Sequence, residues 1–403
     1  WISLAGVNVS ARGLSALAQL PHVERFDTPY GLTDDGMAEV AKMSSLRILH
    51  ISRDRLTDKG LALLGKLTAL ESLELYGSGR MTDDGLEALR RLDRLRHVRL
   101  GAESPFTDRA MGHLAALPSL KTLWLDAHQV GDEGLRLLSQ SRSLGRLNVH
   151  WLDRITARGV AHLKNVPRLK ALDINHAAFT EADLPAVTAL SNLEHLVLPG
   201  CSFSDAAIQR LTSLTHLKFL RVNCSSNSAL TDEALRAVRR MGKLEELSIG
   251  GTGFSDDGIA LLGNLKHLSG LHLAFWRGLD NETLQIIARF PALRELSWNG
   301  SDHVTLSGLT ALNDLTALES LSADEVRQDR AGLDLSRLRN LKSLRITLRQ
   351  QWRHVNGEPV ATSDLFYDRD LTSLAHQTEL ETLSLYGRGI GDEGLAHLAP
   401  LTR

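Results

Sequence analysis

The chain is short of the residues on which reaction chemistry is commonly built. It has 2 cysteines in 403 residues and no C-x-x-C or H-E-x-x-H spacing, which removes the usual zinc and thiol-redox frameworks. It has no G-x-S-x-G elbow and no phosphate loop, so the familiar acyl-transfer and nucleotide motifs are missing too. Neither sign of charge dominates: 46 basic and 48 acidic residues leave a net charge of −2, and nothing draws the whole chain to nucleic acid or an anionic membrane. No apolar run is long enough to insert in a membrane, and no signal-peptide pattern is present. Aromatic residues are only 5% of the total, so each exposed one carries weight.

What the sequence has is a repeat of 24 or 25 residues running almost from end to end. Leu70–Glu71–Ser72–Leu73–Glu74–Leu75 followed by Met81–Thr82–Asp83–Asp84–Gly85–Leu86 shows the unit: L-x-x-L-x-L, a short loop, then an apolar residue, Thr or Ser, Asp, and a residue before Gly-Leu. Alternating leucines predict a half-buried strand. The hydroxyl and carboxylate of Thr57–Asp58, Thr107–Asp108, Thr231–Asp232 or Ser255–Asp256 predict an N-cap and an acidic first turn of a short helix. Pro21, Pro118, Pro167 and Pro291 stand two residues before a strand and stop the preceding helix. Gly60, Gly85, Gly134, Gly159, Gly258 and Gly394 fall early in the helices, where a missing side chain lets neighbouring helices approach. A unit this small cannot bury its own leucines, so successive units must share one interior.

Following the residue between the last two strand leucines gives 16 strands. Parallel strands lie about 4.8 Å apart and helices about 8–10 Å, so the array is expected to curve with the sheet inside. The expected fold is an α/β solenoid: a right-handed coil over residues 1–403 with an inner parallel sheet of about 16 strands and short helices outside. Neither end shows a polar cap, which suggests truncation at both ends. The step from Arg345 to Ser384 is too long for one unit, and residues 349–370 form an insertion.

The pairing of L-x-x-L-x-L with T-D-x-G-L resembles the leucine-rich-repeat superfamily, and within it the cysteine-containing class and its bacterial relatives. Cys201, three residues after Leu198, occupies the position that names that class; Ser78 and His128 stand there in other units. The resemblance implies a module that binds other macromolecules, usually proteins. Two buried thiols at Cys201 and Cys224, rather than a disulfide, lean towards a reducing, cytoplasmic compartment.

Three features imitate chemistry. Gly389–Ile390–Gly391–Asp392–Glu393–Gly394 matches a dinucleotide fingerprint, but Val130–Gly131–Asp132–Glu133–Gly134 shows the same residues as ordinary repeat consensus. His128, His150 and His176 come from consecutive units without a metal-ligand spacing. Asp126, Asp173 and Glu74 make carboxylate pairs of the kind any long repeat provides. The sequence therefore implies no catalytic residue, no cofactor and no metal.

Recognition is expected on the inner sheet and its rim. The candidate partner-binding residues are Trp124, Asp126, His128, Asn148, His150, Trp151, Asp173, Asn175 and His176, followed by Arg221, His272, Phe275 and Trp276. The insertion adds Trp352, Phe366 and Tyr367. Exposed Trp, Tyr and Arg supply much of the energy of protein interfaces. The expected function is binding of a protein partner, with no nucleic acid and no membrane insertion. The alternative is a sensor segment of a larger receptor or effector whose catalytic domain lies elsewhere.

Overall fold

The computed structural model describes the chain apart from residues 53–54, 77–79, 102–104, 127–128, 151–153, 176–178, 199–202, 223–229, 275, 302, 330, 356–357, 364 and 402–403; within 350–355 and 358–363 only the backbone is described. Two compact units are present, Trp1–Pro199 and Gly200–Arg403. The first holds β1 (Ile2–Ser3), β2 (Arg25–Asp27), β3 (Ile48–Ser52), β4 (Ser72–Tyr76), β5 (His97–Leu100), β6 (Thr122–Leu125), β7 (Arg146–His150), β8 (Ala171–Asn175) and β9 (His195–Val197). The second holds β10 (Phe219–Val222), β11 (Glu246–Gly250), β12 (Gly270–Ala274), β13 (Glu295–Trp298), β14 (Ser320–Val326), β15 (Ser343–Leu348), β16 (Gln350–Val355), β17 (Glu358–Ser363) and β18 (Thr382–Tyr386). All but β16 and β17 follow one another in chain order in a 16-stranded sheet. Helices link most successive strands of that sheet.

The leucines explain this arrangement. In the repeat around β4, Leu70, Leu73, Leu75, Leu86, Leu89 and Leu92 are all fully buried between the sheet and the helical side. Each contributes about 1.5–3 kcal/mol on burial, and each needs its neighbours to be buried at all. The polar residues between them stand on the open face of the sheet.

The helix starts carry a second device, which joins one repeat to the next. Asp58 Oδ1 accepts the Thr82 backbone N–H at 2.7 Å, and Asp58 Oδ2 accepts the Thr82 hydroxyl at 2.7 Å. The same carboxylate clamp recurs from Asp34 to Thr57, Asp83 to Thr107, Asp132 to Thr156, Asp205 to Thr231 and Asp232 to Ser255. In unit 2, Asn281 does it with an amide, accepting Thr305 N–H at 3.0 Å and donating to its hydroxyl at 3.1 Å. The early-helix glycines make room for that carboxylate: a Cβ at Gly85 would lie 2.6 Å from Asp58 Oδ1, and one at Gly134 2.7 Å from Asp108 Oδ1. Helix approach is thus the reason for these glycines, and the group that fills the space is an aspartate.

The fingerprint-like glycines belong to the same device. Gly391 N–H donates to Asp368 Oδ1 at 2.7 Å, and a Cβ at Gly394 would strike that carboxylate. The donor that a pyrophosphate would need is already bonded to an acid. In the insertion, β16 and β17 pair antiparallel from Gln350↔Ser363 to Val355↔Glu358, forming a hairpin between β15 and β18. The short repeat before β15 shows as a bulge in β14 between Ala323 and Val326, where Glu325 has φ 61°.

Candidate binding surface on the open sheet face

In unit 1 the parallel register lines up His50, Glu74, Arg99, Trp124, Asn148 and Asp173 across six neighbouring strands. Two positions further along the strands stand Tyr76, Asp126 and His150. Their side chains join into one continuous network. His50 reaches Asp27 with Nδ1 (3.0 Å) and Glu74 with Nε2 (3.4 Å). The Tyr76 hydroxyl donates to Glu74 at 2.7 Å, and the Arg99 guanidinium lies over the Tyr76 ring, 5.3 Å from its centroid. Arg99 then donates to Asp126 Oδ2 through Nη2 (3.1 Å) and Nε (3.3 Å). His150 completes the chain with Nδ1 3.3 Å from Asp126 and Nε2 3.6 Å from Asp173. From β2 to β8 the network covers roughly 29 Å at about 4.8 Å per strand.

Small residues let these side chains lie flat. A Cβ at Gly101 would sit 2.5 Å from Tyr76 Cδ1, so the tyrosine ring occupies the space above that glycine. Trp124 stands beside His97 with ring centroids 6.5 Å apart. Asp126 is 8% and Asn148 5% exposed, so both form the floor of the surface. The Asn148 Nδ2 and Asp173 Oδ1 atoms have no hydrogen-bond partner among the described residues.

The network moves the acidities of its members. The Asp126 and Asp173 carboxylates raise the His150 imidazole to about 9, against the opposing effect of burial. Burial, reinforced by the Glu74 hydrogen bond, pushes the Tyr76 hydroxyl up to about 12. For Asp126, burial acts upwards, but hydrogen bonds from His150 and Arg99 outweigh it and hold the carboxyl below its usual value. With a carboxylate facing each ring nitrogen, His150 is an imidazolium donor at neutral pH. Because its folded value lies above the unfolded value near 6.5, its contribution to stability is complete below pH about 6.5 and is lost as pH rises through about 9. An NMR titration of the folded protein should show the His150 ring titrating near 9, with no such stability loss between pH 7 and 9.5 in His150→Gln. A midpoint at the ordinary histidine value would contradict the pairing.

In unit 2 the aligned positions are Arg221, Ser248, His272, Ser297, Ser322 and Arg345. His272 is fixed by Ser297 Oγ at 2.7 Å from Nδ1 and Glu246 at 3.1 Å from Nε2. Glu246 reaches it by crossing Gly270, where a Cβ would meet its Cγ at 2.8 Å.

Of the residues expected at the surface, Trp124, Asp126, Asn148, His150, Asp173 and Asn175 come together in unit 1; Arg221 and His272 share the open face of unit 2. Two expectations fail. Trp276 is 2% exposed, stacks edge-on against Phe254 at 6.2 Å and donates its indole N–H to the Phe254 carbonyl at 3.1 Å. It seals loop backbone and presents nothing to a partner. Phe366 is fully buried because it fills the apolar place before the helix start that Phe106 fills elsewhere. Tyr367 is exposed, with the Arg369 guanidinium over its ring at 4.8 Å. His128, Trp151, His176, Phe275, Cys201 and Cys224 lie outside the described residues, as does the side chain of Trp352. The network residues absent from the partner-binding candidates are Asp27, His50, Glu74, Tyr76 and Arg99, although all but Tyr76 stand between strand places four and six. Charges at the second strand position pair between neighbouring repeats: Arg47 donates to both Glu71 oxygens at 3.1 Å, and Lys218 lies 3.5 Å from Glu245.

Among the described residues no group of three or more His, Cys, Asp or Glu side chains is placed to hold a metal ion, and no helix is long and apolar enough to cross a membrane.

Parallel strands in chain order, leucines at strand positions one, four and six, and a helix after most loops define the leucine-rich-repeat fold, and this chain has it. No family model and no curated protein matches the sequence. Among solved structures, Rad7, from its complex with Elc1 in yeast, is similar at 20% identity over 79% of this chain and 84% of that one, with TM-score 0.53. TLR13, from its complex with ssRNA13, is 18% identical over 90% of this chain and 56% of that one, with TM-score 0.52. A Leptospira interrogans leucine-rich-repeat protein is 16% identical over 99% of both chains, with TM-score 0.47.

Proposed function

We propose that the chain is a protein-binding module whose open sheet face in unit 1 recognises its partner. The observation that carries this reading is the network from Asp27 to Asp173, which holds Tyr76 and Arg99 in fixed positions before any partner arrives, with Trp124 beside them against the His97 ring. Ordering such side chains in advance removes about 0.5–1.5 kcal/mol of cost per side chain on binding, and Trp, Tyr and Arg are the usual anchors of an interface. Rad7 with Elc1 and TLR13 with ssRNA13 are a protein and an RNA complex on related folds. The charges of this face favour a protein: Asp27, Glu74, Asp126 and Asp173 interleave with Arg99 and the histidines, whereas a surface tracking phosphates needs an unbroken basic stripe. The β16–β17 hairpin of unit 2 belongs to the same reading as a contact element, since insertions in repeat arrays often serve binding.

The test compares partners captured from native lysate by the wild-type chain, by Arg99→Ala/Trp124→Ala, and by a helix-side control, Glu87→Ala/Arg90→Ala. Partners bound by the wild type and the control should fall at least tenfold, about 1.4 kcal/mol, in the open-face variant, with unchanged circular dichroism. Undiminished capture by that variant rejects the surface.

A further inference from the structure

Unit 2 carries a different kind of surface. Ser248, Ser297 and Ser322 take three of the four places between Arg221 and Arg345, and their short side chains leave a trough of about 280 Å³ along the open face. Arg221 lines it on β10 and Asp324 on β14, with His272 held rigidly between them. Among the described residues the two charges at its ends are not matched. Arg221 lies against the Phe219 ring at 5.6 Å, and its Nε, like Asp324 Oδ1, is shielded from solvent without a hydrogen-bond partner among them. Four strand spacings, roughly 19 Å at the backbone, keep the arginine and the aspartate from pairing with each other. In unit 1 the equivalent arginine, Arg99, is satisfied by Asp126.

The backbone points to the same place. Asp324 stands in the β14 bulge beside Glu325, the one non-glycine residue among those described with a left-handed φ, 61°. Bulges re-aim side chains, and strained residues gather at functional sites. Strand alternation sets Asp324 on the open face at the start of the bulge, with its Oδ1 unpartnered among the described residues.

We infer that the trough binds an extended peptide segment that carries an acidic side chain for Arg221 and, four or six residues away on the same face, a basic one for Asp324. At about 3.3 Å per extended residue this spacing bridges the two ends once the reach of the side chains is allowed for. The serine hydroxyls both donate and accept, and so suit the peptide groups lying between. This site stands on residues of unit 2 alone, and failure of the unit 1 surface leaves it untouched.

The probes are acetylated, amidated eight-residue peptides with a Ser/Thr background and two charged positions six apart, on one face of the extended chain: Glu/Lys, Glu/Glu and Lys/Lys. Fluorescence anisotropy with the full chain should show the Glu/Lys peptide binding at least tenfold more tightly than the other two. Asp324→Lys should move the preference to Glu/Glu, Arg221→Glu should move it to Lys/Lys, and the double reversal should restore Glu/Lys. Both positions are on the open face, and matching thermal melts confirm that the fold is kept. Equal binding of Glu/Lys and Glu/Glu by the wild type would reduce the site to a simple anion contact and overturn the inference. So would preferences that ignore both reversals.

Discussion

Gly60→Ala is expected to destabilise unit 1 by about 2–3 kcal/mol, although alanine is the better helix former by about 1 kcal/mol. The glycine lies in the helix Asp58–Ala62 and is buried. A Cβ there would collide with Asp34 Oδ1 and approach Leu56 Cδ2 to 2.8 Å. Asp34 cannot retreat without releasing the Thr57 N–H at 2.9 Å and the Thr57 hydroxyl at 2.6 Å. A part-buried donor left unpaired costs about 1–3 kcal/mol, and overpacking against a leucine about 1–3 kcal/mol more. These costs exceed the gain in propensity. Gly112→Ala is the control, because it sits in the helix Asp108–Ala115 with nothing within 4 Å of its would-be Cβ. There the same substitution should stabilise by about 0.5–1 kcal/mol. Urea midpoints of the two variants should move in opposite directions, and a shift of the same sign in both would refute the clamp as the reason for the recurrent glycines.

Much of this architecture is written in the leucine spacing. Strand positions one, four and six are buried in repeat after repeat, and Thr33, Thr57, Thr82, Thr107, Thr231 and Ser255, each before an Asp, cap helices with their hydroxyls, so the periodicity alone sufficed for the fold. What the periodicity hides is interaction across repeats. Asp58 reads as a favourable first-turn acid, yet its larger role is to hold Thr82, 24 residues on. Nothing in a single unit shows where that carboxylate points.

The surface was legible in part. Trp276 was assigned by its size and its place after a strand, but it stands three residues past Leu273, as Cys201 stands three past Leu198. In its own repeat that place faces inward, as it does at Ser301, three past Trp298, which is fully buried and donates to the Leu279 carbonyl, whereas Thr252, three past Ile249, is exposed. The repeat register, applied strictly, would have placed Phe366 in the interior, in line with Phe106, whereas the place of Trp276 is buried in some repeats and exposed in others. Applied to the open face, it would equally have picked out Tyr76 and Arg99, since both lie in line with residues that were chosen. Composition drew attention to tryptophan; position decides whether the indole is available.

The second large effect is expected where the clamp changes hands. Ala157 occupies the clamp-aspartate place, so the Thr180 cap of the following repeat receives no carboxylate from it. Asp183 stands where other repeats have glycine, and its own carboxylate accepts the Thr180 N–H at 2.8 Å and the Thr180 hydroxyl at 2.9 Å. The two departures from consensus therefore compensate each other: one repeat loses its clamp, and the next supplies the same two bonds from within. Asp183→Gly alone should cost about 1 kcal/mol as the cap is lost. Ala157→Asp alone should also cost about 1 kcal/mol, because a second carboxylate competes for the same donors beside a like charge. The double variant recreates the arrangement of Asp132 and Gly159 and should be near wild-type stability, giving a favourable coupling of about 2 kcal/mol. Repeat arrays can unfold in parts, so amide exchange at Thr180 and in the helix Leu184–Thr188 is the appropriate readout beside urea unfolding. Losses that simply add in the double variant would mean that Asp183 does not stand in for the missing aspartate.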